Sequence, residues 1–165
     1  FGETFVIPEA VTPAAGARVM ILQDPTSKMS KSDESDAGCV YLVDEPTAVM
    51  KKFKRAVTDS DSGPDAVRYD REHKPGVANL LDIHAAVTER TPEDVAGEYE
   101  QYGALKVATG EAVLAALDPI RHRYQELMDD RGELARLLRV GADKARGVAS
   151  ATLDRTHTAI GMVPR

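Results

Sequence analysis

Apolar positions change their spacing part-way along the chain. Up to about Tyr41-Leu42-Val43, short apolar runs alternate with clusters of Pro, Gly and Ser. Arg18-Val19-Met20-Ile21-Leu22 is apolar after its arginine, rich in β-branched residues and closed by Asp24-Pro25, which predicts a buried strand. Cys39-Val40-Tyr41-Leu42-Val43 is a second strand candidate. The stretch between them is polar and without period, which predicts an exposed, mobile loop. Beyond it the spacing turns helical. Asp44 or Glu45 can cap a helix that opens on Pro46 and closes on Lys51-Lys52-Phe53-Lys54-Arg55, cations suited to a helix C-terminus. A second helix follows Pro75-Gly76, with Val77, Leu80, Leu81, Ile83 and Val87 along one face. Thr91-Pro92-Glu93-Asp94 opens a third, with Thr91 as N-cap. Val113, Leu114, Leu117, Ile120, Tyr124, Leu127 and Met128 keep amphipathic spacing, with a kink expected at Pro119. Leu134, Leu137 and Leu138 mark a short helix before Gly141. A last helix turns Ala142, Ala145, Val148, Ala149, Thr152 and Ile160 inward and stops at Gly161.

Composition narrows the class. With 42% hydrophobic and 29% charged residues, the 165-residue chain reads as globular rather than disordered. No apolar run approaches the ~20 residues that cross a bilayer as a helix. Cys39 is the one cysteine, so no internal disulfide and no cysteine-based zinc site can form. The start at Phe1-Gly2-Glu3, without Met, predicts a segment of a longer protein. The net charge of −6 is uneven: residues 121–165 carry nine Lys/Arg against six Asp/Glu, +3, leaving −9 for the rest. Charge alone fits solvated helix faces as well as an RNA contact.

The chemistry concentrates in Asp24-Pro25-Thr26-Ser27-Lys28-Met29-Ser30-Lys31-Ser32-Asp33. Two ammonium groups three residues apart, interleaved with hydroxyls, suit a polyphosphate: the lysines neutralise charge and the hydroxyls and loop N–H groups donate. The Gly-x-x-x-x-Gly-Lys pattern is missing, so this is not a Walker A loop. The string Lys28-Met29-Ser30-Lys31-Ser32 instead matches the signature of class I aminoacyl-tRNA synthetases. Arg18-Val19-Met20, Asp24-Pro25-Thr26, Ala56-Val57-Thr58-Asp59-Ser60, Arg68-Tyr69-Asp70, Pro75-Gly76-Val77 with Asn79-Leu80-Leu81, and Gly141-Ala142-Asp143-Lys144-Ala145 follow in order. In these the chain resembles the bacterial tryptophanyl-tRNA synthetases, from about Gly2 to Met162.

That resemblance implies ATP-dependent activation of tryptophan and its transfer to tRNA(Trp). Lys28 and Lys31 would be catalytic, holding the ATP phosphates, with Lys31 stabilising the charge that builds on departing pyrophosphate. Ser30 and Ser32 would donate hydrogen bonds, Met29 and the backbone of Val19 would flank the adenine, and Mg²⁺ would travel with ATP. No metal site of the protein's own is implied. The fold expected is mainly α: residues 1–38 the tail of a Rossmann catalytic domain with its short β remnant, residues 39–165 a helical domain of anticodon-binding type. Arg136, Arg139, Lys144 and Arg146 are tRNA-contact candidates by charge and place. The family's second signature, His-Ile-Gly-His, is absent, and Asp82-Ile83-His84-Ala85 does not replace it because it lies in a helix and lacks the glycine. His84 reads as a packed or surface helical residue, and His73, His122 and His157 lack metal-like spacing. The expectation is therefore a C-terminal half, inactive alone, from a cytoplasmic homodimeric ligase. The alternative is a free-standing RNA-binding paralogue, which would have no use for an intact lysine loop.

Overall fold

The computed structural model describes residues 1–13, 15–30, 32 and 36–162. The chain is mainly helical. After a 3₁₀ turn at Asp36–Gly38 come α1 (Pro46–Lys54), α2 (Pro75–Thr88), α3 (Pro92–Ala96), α4 (Tyr102–Asp129) and α5 (Arg131–Ala159). It divides into two compact units, one spanning Thr12–His122 and the other Phe1–Val11 with Arg123–Arg165.

The Thr12–His122 unit is built around α2. Ten consecutive residues of this helix, Gly76 to Ala85, are buried. The one-sided apolar face expected for it is thus a helix enclosed nearly all round. Val49 and Phe53 of α1, Val95 of α3, and Leu105 and Val113 of α4 close on Leu80, Leu81 and Ile83. Prolines open α1, α2 and α3, where the missing N–H costs nothing. Thr91 caps α3 as its sequence predicts, accepting from the Asp94 N–H at 3.2 Å. Glu89 ends α2 in the left-handed conformation, φ 56°.

Neither predicted strand forms among the described residues, where pairing is confined to an isolated antiparallel bridge, Met20 to Lys28. The reason lies in the partners. Met20 gives its backbone to a side chain of α2, and Leu22 divides its own between Gly38 and Val57, so no ladder extends. Cys39-Val40 is apolar because it is packed, and the chain then turns: the Tyr41 N–H donates to the Asp44 carboxylate and the Asp44 N–H to the Tyr41 carbonyl. α4 begins at Tyr102, well before Val113, and continues through Pro119.

Buried Lys74, 1% exposed, ties the front of this unit together. Its ammonium donates to Asp59 at 3.0 Å and to the Tyr102 hydroxyl at 2.8 Å, and lies 2.7 Å from Asp61. The Tyr102 hydroxyl in turn donates to Asp59. This network clasps the Ala56-to-Ser60 segment against the starts of α2 and α4. Gly76 completes the approach: a Cβ there would stand 2.1 Å from the Val57 carbonyl oxygen.

The second unit is thinner. None of the residues of α5 is buried, so the inward face expected from Ala142 to Ile160 is not an interior one; Val148 is 81% exposed. The short helix and last helix expected on either side of Gly141 are one continuous helix. An interior glycine costs only ~1 kcal/mol. Against it stand an Asp130 N-cap accepting from the Glu133 N–H at 2.9 Å and the pairs Arg136–Glu133 and Arg146–Asp143. Gly161, at φ 76°, stops the helix where expected.

The network sets the acid response. Hydrogen bonds from Tyr102, the Asp61 backbone and Lys74, with the Lys74 charge, hold Asp59 at about 2 although burial opposes them. Its folded value lies below the ordinary 3.8, so its contribution is present above pH 4 and lost as pH falls towards 2. Asp59→Asn should flatten the pH dependence of stability across that interval, read by denaturant melts. Lys74→Met, which leaves two carboxylates facing each other, should cost about 2–3 kcal/mol near neutral pH.

Candidate phosphate-binding hairpin

The signature loop is held by short-range backbone pairing and one long-range clamp. The Met29 N–H donates to the Val19 carbonyl at 3.0 Å and the Ile21 N–H to the Ser27 carbonyl at 2.9 Å, with Met20 opposite Lys28. At the tip, Asp24 accepts from the Thr26 N–H at 3.1 Å, the Thr26 hydroxyl at 2.6 Å and the Ser27 hydroxyl at 2.6 Å. These bonds, Ser27 first, hold the Asp24 carboxyl below the ordinary carboxylate range. Its charge is thereby engaged at the turn.

The clamp is Asn79, 4% exposed, on the second turn of α2. Its Oδ1 accepts from the Met20 N–H at 2.9 Å and its Nδ2 donates to the Met20 carbonyl at 3.0 Å. A side-chain amide here does what a neighbouring strand would do. Next to it, buried Asp82 accepts from the Tyr69 hydroxyl at 2.9 Å and from Arg71 at 3.1 Å. Burial and the Asp82 bond push the Tyr69 phenol up. A cleft of about 280 Å³ lies here, lined by Arg18, Met20, Pro25, Arg71, Asn79 and Asp82.

The signature residues fall into two groups. Val19 and Met29 are half-buried and pack against the core, bordering an apolar cavity of about 200 Å³ with Val40, Phe53, Ile83 and Leu117. Lys28, Ser30 and Ser32 are exposed. The Ser32 N–H donates to the Ser30 hydroxyl at 3.2 Å, and the buried Cys39 thiol donates to the Ser30 carbonyl at 3.3 Å. Lys31 lies outside the described residues. The hairpin can therefore present Lys28 and two hydroxyls to a polyanion while Met29 anchors it from below.

The candidates of the C-terminal helix are exposed along α5. Arg136 pairs with Glu133 at 2.6 Å and Arg146 with Asp143 at 2.7 Å. Arg139 and Lys144 have no ion pair among the described residues. His84 is packed: its Nδ1 lies 3.3 Å from the Thr109 hydroxyl and burial lowers its pKa, favouring the neutral ring. Asn79, Lys74 and Tyr102 carry no assigned role in the sequence reading. Asn79 had a signal: an amide within the apolar run Val77-to-Leu81 has to find a partner when buried.

A family model described as tRNA synthetases class I (W and Y) matches residues 1–125. The chain belongs to this family. It is 53% identical over 164 residues to tryptophan–tRNA ligase 1 of Streptomyces coelicolor, covering 99% of this chain and 48% of that protein. To the tryptophan–tRNA ligase of Mycobacterium leprae it is 45% identical over 167 residues, again 48% of that protein. Among solved structures, the tryptophanyl-tRNA synthetase of Mycoplasma pneumoniae superposes with a TM-score of 0.79 at 28% identity, over 92% of this chain and 45% of that one. The Campylobacter jejuni tryptophanyl-tRNA synthetase complexed with ADP and tryptophan gives 0.62 at 28% identity, over 98% and 49%. The chain thus spans about half the length of the curated relatives it matches. No helix among the described residues is long and apolar enough to cross a membrane.

Removing the clamp tests how the chain fixes its hairpin. Asn79→Ala deletes two hydrogen bonds, about 2 kcal/mol, and should speed exchange of the Met20 amide roughly 30-fold. Asn79→Asp should be no better, since a carboxylate oxygen then faces the Met20 carbonyl. Unchanged Met20 exchange in both variants contradicts the clamp.

Proposed function

We propose that these residues serve a tryptophan–tRNA ligase, supplying the ATP-phosphate hairpin and the helical contact with tRNA. The observation that carries this reading is the likeness of 45–53% to proteins of that name over nearly the whole chain, with the signature string intact in the sequence and its Lys28 and Met29 on a pinned hairpin. In step one the tryptophan carboxylate attacks the α-phosphate of ATP, a P–O bond forms to the carboxylate, and pyrophosphate leaves with the electron pair of the broken bond. Lys28 and Lys31 neutralise charge on the departing phosphates, an electrostatic effect strongest where the donors are already in place. Ser30 and Ser32 donate to phosphate oxygens, while Met29 and the Val19 backbone border the adenine. The described residues contain no group of three His, Cys, Asp or Glu side chains placed to hold a metal ion. Mg²⁺ in this reading is carried by the phosphates of ATP.

In step two the aminoacyl group passes to the 3′ end of tRNA and AMP leaves. The helical part, residues 39–165, takes the anticodon, with Arg136, Arg139, Lys144 and Arg146 on the exposed face of α5. The tryptophan pocket and the His-Ile-Gly-His-like signature come from the remaining half of the ligase. The working enzyme in this reading is a cytoplasmic homodimer.

Tryptophan-dependent ATP–pyrophosphate exchange is the direct test. The whole ligase containing these residues should exchange with tryptophan and not with tyrosine. Lys28→Ala or Lys31→Ala should each lower the rate roughly a hundredfold, about 3 kcal/mol. The 165-residue chain alone should give no exchange above its own Lys31→Ala variant. Tyrosine-dependent exchange, or full activity without the lysines, sinks the assignment.

A further inference from the structure

We infer that the exposed face at the end of α1, carrying Lys51, Lys54 and Arg55, grips the backbone of the tRNA acceptor end beside the signature hairpin; this rests on the ligase reading above. The three cations sit at positions i, i+3 and i+4, which places them on one side of the helix. The opposite side is fixed by buried Val49 and Phe53. All three are exposed, and among the described residues no carboxylate pairs with them. Neighbouring Lys52 differs: it is half-buried, 2.6 Å from Asp44 and over the Tyr41 ring. A helix C-terminus favours cations, yet three on one face repel one another. In a chain of net charge −6, a cluster with no ion-pair partner among the described residues suits a polyanion.

Its shape and position select the partner. A depression lined by Pro46, Thr47 and Met50 lies along the Lys51, Lys54 and Arg55 flank of α1. A second, between Gln23, Ala37 and Ala48, opens on Lys51 and Arg55 from the hairpin side. The hairpin is bonded to this end of the helix beside its tip: the Gln23 Nε2 donates to the Arg55 carbonyl at 3.2 Å, and the Val57 N–H to the Leu22 carbonyl at 2.7 Å. Aminoacyl transfer requires the 3′ end of the RNA to reach the nucleotide held by the hairpin. Cations joined rigidly to that hairpin are therefore placed for the acceptor end and not for a distant anticodon. Asp36 borders the same depression but accepts from the Tyr41 hydroxyl, which partly engages its charge.

Two RNA probes separate this from a merely basic surface. One is a hairpin of the acceptor stem with its single-stranded 3′ end, the other the anticodon stem-loop, each titrated against the chain by fluorescence anisotropy at several salt concentrations. Lys51→Gln/Lys54→Gln/Arg55→Gln should weaken the acceptor hairpin at least tenfold. It should also reduce the slope of log affinity against log salt by about 2, with anticodon binding unchanged. The charge-preserving Lys51→Arg/Lys54→Arg/Arg55→Lys should keep the wild-type slope, which excludes a folding defect. Unaltered acceptor binding in the glutamine variant, equal losses on both RNAs, or no acceptor binding by the wild-type chain overturns the proposal. The exchange assay uses no RNA, so a failure there strikes the ligase reading by a separate readout.

Discussion

The Thr12–His122 unit depends on one exchange of hydrogen bonds, the Asn79 carboxamide with the backbone of Met20. A stretch that sends its N–H and carbonyl towards a core has to satisfy both there or bear the cost of burying them bare. Sheets solve this with another strand. Here α2 solves it with a single amide, whose donor and acceptor match a peptide edge. The clamp lets a two-sided hairpin exist without a sheet, because Lys28 occupies one side of Met20 and Asn79 the other. Helix and loop are then one object. Displacement of α2 would carry the Lys28 backbone with it.

The Lys74 network extends the same object forward. A lysine 1% exposed is tolerable because Asp59, Asp61 and Tyr102 surround its ammonium. Those partners come from the segment after α1 and the start of α4, so one buried charge fixes three pieces of chain that share no regular pairing. Gly76 lets the backbone of Val57 come close enough for this, and Val57 also takes the Leu22 carbonyl. The signature hairpin and the charged end of α1 are thereby parts of a single frame.

The helices were largely legible in the sequence, for reasons that can be named. Pro46, Pro75 and Pro92 mark their starts, Thr91 caps one of them, and Gly161 ends the last. The predicted strands were not real because apolarity reports burial and not hydrogen-bond partners. Val19 to Leu22 is packed like a strand, but its partners are a side chain and two loops separated from it in sequence. Gly141 misled in the other direction, since capping and local ion pairs outweigh the cost of its position inside α5. For the site, the string Lys28 to Ser32 names the loop, whereas Asn79 that holds it is signalled only by an amide inside an apolar run, and Lys74 that braces α2 stands in no local pattern. Their roles arise only when α2 is placed beneath the hairpin.

The double anchoring of Lys28 also has an entropic side. Ordering a free loop residue around a ligand costs about 1–2 kcal/mol of backbone freedom. At Lys28 that freedom is already surrendered in folding, through the bridge to Met20 and the bonds on either side of it. In the proposed ATP site, an arriving phosphate would have only the side-chain torsions left to quench, about 2 kcal/mol at most. The hairpin thus behaves as a fixed post carrying a flexible arm, so that affinity can be tuned at the arm without resetting the frame.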